Sequence, residues 1–246
     1  MAKYEFGELE LLQLEKQNSG TAKTLNEELE KKGFLAIKNL CNPKDLYFNP
    51  YDLPKKYGKM AYWGSRENEY NYEEEEDQVD GSVARYWYPG YRELHSKIRM
   101  RIEKEIGKKL YNTYYYDRFY SEGQELSRHI DRNSCEISVS VHISSNLEKP
   151  WPLWFKTPDK YADEEKSSVL EYGKEIPIVL NPGDGVIYKG CEIPHWRNIF
   201  PINKENKFIS FFSKKPRNCD LYYHQIFFHY VLQDGQRAHC AWDRQV

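Results

Sequence analysis

The chain has 246 residues, with 36 Lys or Arg and 38 Asp or Glu, so its formal net charge is −2. This length suits one domain with a sizeable core, and the near-neutral charge provides no chain-wide field for nucleic acid or anionic membrane. Five scattered cysteines without a C-x-x-C pair disfavour a disulfide framework and a structural zinc site. The first twenty residues carry acids among their apolar positions, unlike a signal peptide or membrane span. We therefore expect a cytoplasmic protein that has neither a membrane nor a nucleic acid as its partner.

Two amphipathic helices are predicted before residue 110. The first contains Leu25 and Leu29, ends at Gly33 and leads into a short strand over residues 34–37. The second covers residues 89–107, where aliphatic residues recur every four positions: Leu94, Ile98, Ile102 and Ile106. The tyrosine-rich segment between the two helices is predicted to be a long loop region.

From Tyr111 onward the pattern changes to short strands separated by Pro and Gly turns. The predicted strands are TYYYDRFY, EISVSVHIS, WPLWFK, IPIVL, GVIYKG and KFISFF. Helices followed by many short strands predict an α+β, mainly β protein, with a double-stranded β-helix (jelly-roll) core backed by the N-terminal helices.

The last segment has apolar residues at helical spacing, namely Tyr223, Ile226, Phe227, Tyr230 and Val231. This spacing predicts a C-terminal helix that packs on the core or forms a homodimer face. The expected organisation is a single domain over residues 1–246. It divides into a helical and loop support region (1–110), a jelly-roll core (111–215) and a C-terminal helix and tail (216–246).

Residues 127–144 combine a His-x-Asp motif, His129 and Asp131, with a strictly alternating strand. Apolar residues 137, 139, 141 and 143 form one face of that strand, and Ser138, Ser140 and His142 form the other. The motif shares the parity of the apolar row, so we expect both side chains on the buried side, where a carboxylate beside an imidazole needs a partner. His142 has the opposite parity and is expected to face solvent or to be a satisfied polar residue.

His195 is the histidine that follows a Pro-Gly-Asp turn and a later strand. Inside a barrel, His195 would join His129 and Asp131 to place two imidazoles and one carboxylate on one face of a metal, leaving other coordination positions open. The spacing of His224, His229 and His239 does not converge with the motif, so these histidines are not expected as ligands.

With these residues in place, the sequence resembles the Fe(II)/2-oxoglutarate-dependent dioxygenase superfamily, most nearly its prolyl 4-hydroxylase-like branch. The resemblance covers residues 111–212. It implies Fe(II), O2 and 2-oxoglutarate as cosubstrate, with His129, Asp131 and His195 as the metal ligands and catalytic centre.

The same resemblance implies residues that hold the distal carboxylate of 2-oxoglutarate, which needs a cation and hydroxyl donors. A tyrosine before the motif is matched by Tyr120, and the basic residue on the strand after His195 is best matched by Lys207, with Ser210 following. The superfamily often has Arg in that role, so Arg197, Lys204 and Lys214 remain rivals. Arg197 shares the strand parity of His195 and is expected either to contact 2-oxoglutarate or substrate, or to form a surface salt bridge.

The resemblance further implies hydroxylation of an aliphatic C–H bond with release of succinate and CO2. Asp131 stands where halogenating members carry a small residue, so hydroxylation is the default, with desaturation left open. The expected substrate is an amino acid, a peptide or a small metabolite, contacted at the metal mouth. The candidate substrate residues are Arg132, Asn133, Trp154, Trp196 and the tyrosine-rich segment 57–88. Two alternatives stay open, a cupin-like metal-binding or sugar-binding barrel that does not use 2-oxoglutarate, and a zinc hydrolase.

Overall fold

The computed structural model describes residues 22–46, 59–63, 70–75, 78–158, 173–202 and 221–242. Within these ranges the helices are α1 (Ala22–Lys32) and α2 (Arg92–Ile106). The strands are β1 (Phe34–Ile37), β2 (Lys59–Trp63), β3 (Tyr70–Glu75), β4 (Val83–Tyr86), β5 (Leu110–Ser121), β6 (Leu126–His129), β7 (Ile137–Ser145), β8 (Leu153–Lys156), β9 (Glu175–Ile178), β10 (Gly185–Tyr188), β11 (His195–Arg197) and β12 (Tyr222–Leu232). Neither described helix is long and apolar enough to cross a membrane.

The strands form two sheets that pack against each other. The larger sheet has the order β1-β10-β7-β12-β5-β4-β2-β3, and the smaller has the order β6-β11-β8-β9. Side chains from both sheets meet in one buried cluster, for example Tyr120 and Tyr188 from the larger sheet with Leu126 and Phe155 from the smaller. The mainly β, jelly-roll architecture expected from the sequence is therefore confirmed.

Both helices lie on the outer face of the larger sheet, where they bury their aliphatic stripes in a second cluster. Each helix ends where a glycine adopts positive φ, Gly33 after α1 (φ 82°) and Gly107 after α2 (φ 69°). At each of these ends the glycine N–H donates to the carbonyl of the residue four positions earlier. The two predicted helices are confirmed.

The two faces of β7 differ in polarity, and the polar face is the one inside the barrel. Ile137, Val139, Val141 and Ile143 pack with the helices, so Ser138, Ser140 and His142 face the interior between the sheets. His142 is only 4% exposed, which makes its expected solvent orientation wrong. The parity argument for His129 and Asp131 is wrong as well, because β6 ends at His129 and belongs to the other sheet.

The predicted C-terminal helix is wrong, because residues 222–232 form β12. This strand lies between β5 and β7 and is buried on both faces. A strand covered on both sides shows no clean alternation, so its apolar run reads equally well as a helix. The residues of the supposed helical stripe are internal to the fold and do not form an exposed dimer face.

The long loop predicted between the helices is also wrong in part. β2, β3 and β4 occupy much of it and extend the larger sheet beyond β5. Tyrosine favours strands, and these short strands lack the period-two apolar row by which a half-buried strand is recognised.

A network of buried charged and polar side chains connects β4 and the residue before α2 to β5 in the larger sheet. Asp117 on β5 is fully buried and accepts hydrogen bonds from Arg85, from the Tyr91 hydroxyl at 2.7 Å and from His224 Nε2 at 2.9 Å. Burial alone raises the pKa of Asp117, but the charge of Arg85 and the hydrogen bonds outweigh it and hold that pKa well below its usual range. Asp117 is therefore ionised and internally compensated.

Replacing Asp117 with Asn should lower the free energy of unfolding by about 3–5 kcal/mol, because Arg85 would remain buried without its counter-charge. The wild-type contribution is present above the unfolded carboxyl pKa of about 3.9 and is lost as the pH falls towards the depressed folded value. Urea unfolding of both proteins measures the difference. Glu93→Gln, which removes an exposed partner of Lys97 on α2, is the control and should change stability little.

Candidate active site

The pairing of β11 with β6 brings two histidines face to face. His195 lies directly opposite His129 in the antiparallel register, and Asp131 follows two residues after the end of β6. One ligand atom from each of the three residues lies within 4.8 Å of the others. The Nε2 atoms of both histidines lie 3.5 Å from Asp131 Oδ1. The structure thus brings together the three residues that the sequence analysis selected.

Both imidazoles are oriented by the backbone in the same way. His129 Nδ1 lies 2.7 Å from the carbonyl oxygen of Ser127, and His195 Nδ1 lies 2.9 Å from that of Ile193. A carbonyl accepts only, so Nδ1 carries a proton in each ring, and Nε2 is the nitrogen that faces Asp131. Fixing the tautomer through Nδ1 is the usual outer support of a metal-binding histidine.

The second oxygen of Asp131 is already engaged. Ser138 Oγ donates to Oδ2 at 2.9 Å and lies 2.9 Å from His229 Nδ1, which donates to it. Burial raises the pKa of Asp131, but the charge of His195 and hydrogen bonds from both facing histidines hold it well below the usual range. The residue is therefore an anion whose Oδ1 faces the Nε2 atoms of both histidines. Two imidazole nitrogens and one carboxylate oxygen on one side fit a divalent metal such as Fe(II).

A buried cation lies on the same face of the smaller sheet. Arg197, two residues beyond His195, is 1% exposed. It donates to the Trp151 carbonyl and to Gln225 Oε1, both at 2.5 Å, and its guanidinium lies 4.4 Å from the centre of the Tyr223 ring. Among the described residues no carboxylate lies within salt-bridge distance of it, so the surface salt bridge considered for Arg197 is wrong. A buried guanidinium without an anion is costly to hold.

The surroundings of Arg197 contain further polar atoms that lack a partner. Four of the buried atoms that make no hydrogen bond in the described part of the chain belong to this region: Arg197 Nε, Tyr120 Oη, Gln225 Nε2 and His142 Nε2. The Tyr120 ring lies 5.9 Å from the guanidinium, and Gln225 is the cross-strand neighbour of His142. Buried polar groups are nearly always paired. Because the atoms of Arg197, Tyr120 and Gln225 are donors, this cluster is suited to a polar ligand that supplies acceptors.

The other predicted site residues are placed differently. Lys207 and Ser210, with the rivals Lys204 and Lys214, lie outside the described residues. Trp154 and Trp196 stack on each other with centroids 6.1 Å apart. They alternate with inward-facing His195 and Phe155, which places them on the outer face of the smaller sheet.

Two predicted substrate residues do lie near the triad, directly after Asp131. Arg132 covers the Tyr114 ring at 4.5 Å, and Asn133 accepts a hydrogen bond from Arg237 at 3.2 Å. No sequence pattern indicated that Ser138, Gln225 and His229 support Asp131 and Arg197, because this depends on which face of a strand is internal. It also missed Gly190, for which no sequence signal existed.

Comparison with known proteins gives a fold and no closer relative. No protein-family model and no curated protein matches the chain. A prolyl hydroxylase from Trichoplax adhaerens, solved with a hypoxia inducible factor oxygen degradation domain peptide fragment, is 14% identical, with a TM-score of 0.51 over 89% of this chain and 92% of that one. A 2OG-Fe(II) oxygenase family oxidoreductase from Burkholderia pseudomallei is 9% identical, with a TM-score of 0.50 over 87% and 91%. A non-heme alpha ketoglutarate dependent carbocyclase from nogalamycin biosynthesis is 14% identical, with a TM-score of 0.50 over 89% and 91%.

The chain therefore has the fold of the 2-oxoglutarate and Fe(II) oxygenases, as the sequence resemblance implied. At these identities the likeness concerns the fold alone. The chemistry has to be argued from the residues of the site.

Gly190→Ala should disrupt the triad without replacing any of its three residues. The Gly190 carbonyl accepts from the Asp131 N–H at 2.8 Å, and an added Cβ would lie 2.6 Å from Ser138 Oγ and closer still to Asp131 Oδ2. We expect loss of stoichiometric Fe(II) binding, measured by anaerobic metal titration. The control is Gly123→Ala, where φ is 81° but the space around the new Cβ is open. It should cost stability and keep the metal, and metal binding by Gly190→Ala would contradict the geometry.

Proposed function

We propose that this protein is an Fe(II)/2-oxoglutarate-dependent dioxygenase that hydroxylates an aliphatic C–H bond. The observation that carries the proposal is the buried Arg197 beside the His129, Asp131 and His195 group. A metal chelated by one end of a dicarboxylate, with a cation buried deeper in the same barrel for the other end, is what 2-oxoglutarate requires. A cupin-like barrel or a zinc hydrolase has no need for that second anion site.

The roles follow from the contacts described above. His129, Asp131 and His195 would hold Fe(II) from one side, leaving the remaining positions open. Arg197 and Tyr120 would bind the distal carboxylate, with Arg197 taking the role first considered for Lys207. When bound, the iron with O2 and 2-oxoglutarate supplies the oxidation that yields succinate and CO2.

The substrate is expected to bind beside His129, Asp131 and His195. An amino acid, a peptide or a small metabolite remains the proposed substrate, with Arg132 and the buried tyrosines near it as contacts. One solved structure of this fold holds a peptide fragment and another is a carbocyclase, so the substrate has to be found by experiment. A mass-spectrometric screen for compounds that stimulate succinate release is the direct approach.

Adding 2-oxoglutarate to the anaerobic Fe(II)-loaded protein should produce a visible charge-transfer band. Arg197→Gln should weaken the affinity read from this band by at least about tenfold, because hydrogen bonds to a charged group contribute roughly 1.5–3 kcal/mol. Arg128→Gln is the matched control, since Arg128 is an exposed neighbour paired with Glu175 on the same sheet. It should leave the affinity unchanged.

Two outcomes would overturn separate parts of the proposal. Absence of the band in the wild-type protein, with metal bound, would favour a metal site that does not use 2-oxoglutarate. A normal affinity in Arg197→Gln together with a lost affinity in Lys207→Ala would return the carboxylate clamp to Lys207.

Turnover with labelled O2, once a substrate is found, should place one oxygen atom in succinate and the other in the product. The reason is that Asp131 occupies the ligand position that a halogenating enzyme leaves open for halide. Mass spectrometry of both products measures the label. A halogenated product in chloride buffer, or unlabelled succinate, would contradict hydroxylation by this route.

A further inference from the structure

The carboxylate seat is the cluster of Arg197, Tyr120, Gln225 and His142. The side-chain nitrogen of His142 that lacks a partner carries no proton in the neutral ring, so it cannot donate to an anion. His142 Nδ1 lies 2.7 Å from the carbonyl oxygen of Leu180, so Nδ1 must carry a proton. In the neutral ring Nε2 is then a bare lone pair, and it is buried without a partner. A carboxylate oxygen placed against that lone pair would be repelled.

The position of His142 places it within the seat. It is the cross-strand neighbour of Gln225, whose Oε1 is held by Arg197. Its ring stacks on Tyr223 at 4.1 Å, and the Arg197 guanidinium lies 4.4 Å from the centre of that same ring. His142 and Arg197 therefore lie against the same buried tyrosine ring.

We propose that His142 is a binding residue for the distal carboxylate and that the seat takes up one proton when the dicarboxylate binds. The proposal rests on the proposed function, because it takes 2-oxoglutarate as the ligand. A protonated Nε2 would donate to the carboxylate beside Arg197, and an imidazolium needs the anion to remain buried. Specificity follows, since a keto acid without the second carboxylate could not drive the protonation.

The direction of the pH dependence follows from the surroundings of His142. Within the described part of the chain, Arg197 on β11 and His224 on β12 act on His142, and its ring stacks on Tyr223, which Tyr120 on β5 and Asp184 before β10 influence in turn. Burial lowers the pKa of His142 to about 4, the Leu180 carbonyl opposes this, and the charge of Arg197 lowers it further. The free protein is thus neutral at His142 at neutral pH, and a bound carboxylate raises that pKa. Affinity should fall as the pH rises from about 4 through the raised value.

Calorimetric titration of the Mn(II)-loaded protein with 2-oxoglutarate tests the proposal between about pH 6 and pH 8. Comparing buffers of different ionisation enthalpy should reveal uptake of up to one proton per ligand, and the dissociation constant should rise up to tenfold per pH unit. 2-Oxobutanoate, which keeps the chelating end and lacks the second carboxylate, should bind without proton uptake.

Two variants test whether the proton taken up on binding of 2-oxoglutarate goes to His142. His142→Gln retains an amide donor and should bind 2-oxoglutarate without the proton uptake and with a flat pH profile. The matched control His239→Gln, at an exposed histidine, should keep both. If His142→Gln does not fold, the wild-type titrations with the two keto acids still decide.

Binding of 2-oxoglutarate with no proton uptake would overturn the inference and leave the oxygenase proposal intact. In that case the Gln225 amide would donate to His142 Nε2, and the seat would consist of Arg197 and Tyr120. Failure of 2-oxoglutarate to bind, with no charge-transfer band, would instead overturn the proposed function itself.

Discussion

The antiparallel pairing of β11 with β6 is the constraint on which the whole site depends. Directly opposite residues of paired strands share a face, so His195 and His129 leave the smaller sheet on the same side. Arg197 returns to that side two residues later. A slip of β11 by one residue would turn both inward side chains outward and bring Trp196 into the barrel. The pairing of β11 therefore fixes the orientation of the His195 imidazole and of the buried Arg197 guanidinium together.

The two faces of the larger sheet divide the tasks of stability and binding. Its outer face packs aliphatic side chains of β7 against the helices, which supplies burial that needs no ligand. Its inner face presents Ser138, which donates to Asp131, and His142, which lies opposite Gln225, the partner of Arg197. Substitutions on the inner face can therefore alter binding while the aliphatic layer on the other side still supports the fold.

The sequence predicted the elements with a clean period and the residues with a motif. The stripe from Leu94 to Ile106 gave α2, and the His-x-Asp motif with a later histidine gave the triad members. It failed where burial on both faces removes the period, as in β12, and where the short strands β2, β3 and β4 lack an apolar row. It also assigned β7 its buried face correctly but took that face for the interior of the barrel, because a sequence does not show which side the helices cover. Gly190 and Gln225 contact residues that are distant in the sequence, so no local pattern indicates their role.

Two sets of buried charged residues differ in whether their charges are compensated within the described part of the protein. Asp117 and Arg85 lie on the helix side and satisfy each other, with Tyr91 and His224 completing the hydrogen bonds. Arg197 lies on the barrel side, and its described partners are a backbone carbonyl, an amide and aromatic rings. Removing one partner of the first group would leave a buried charge without its counter-charge, whereas the second group has no carboxylate partner among the described residues. The second group lies beside three residues whose ligand atoms could hold a metal ion, which is the combination that the proposed 2-oxoglutarate site requires.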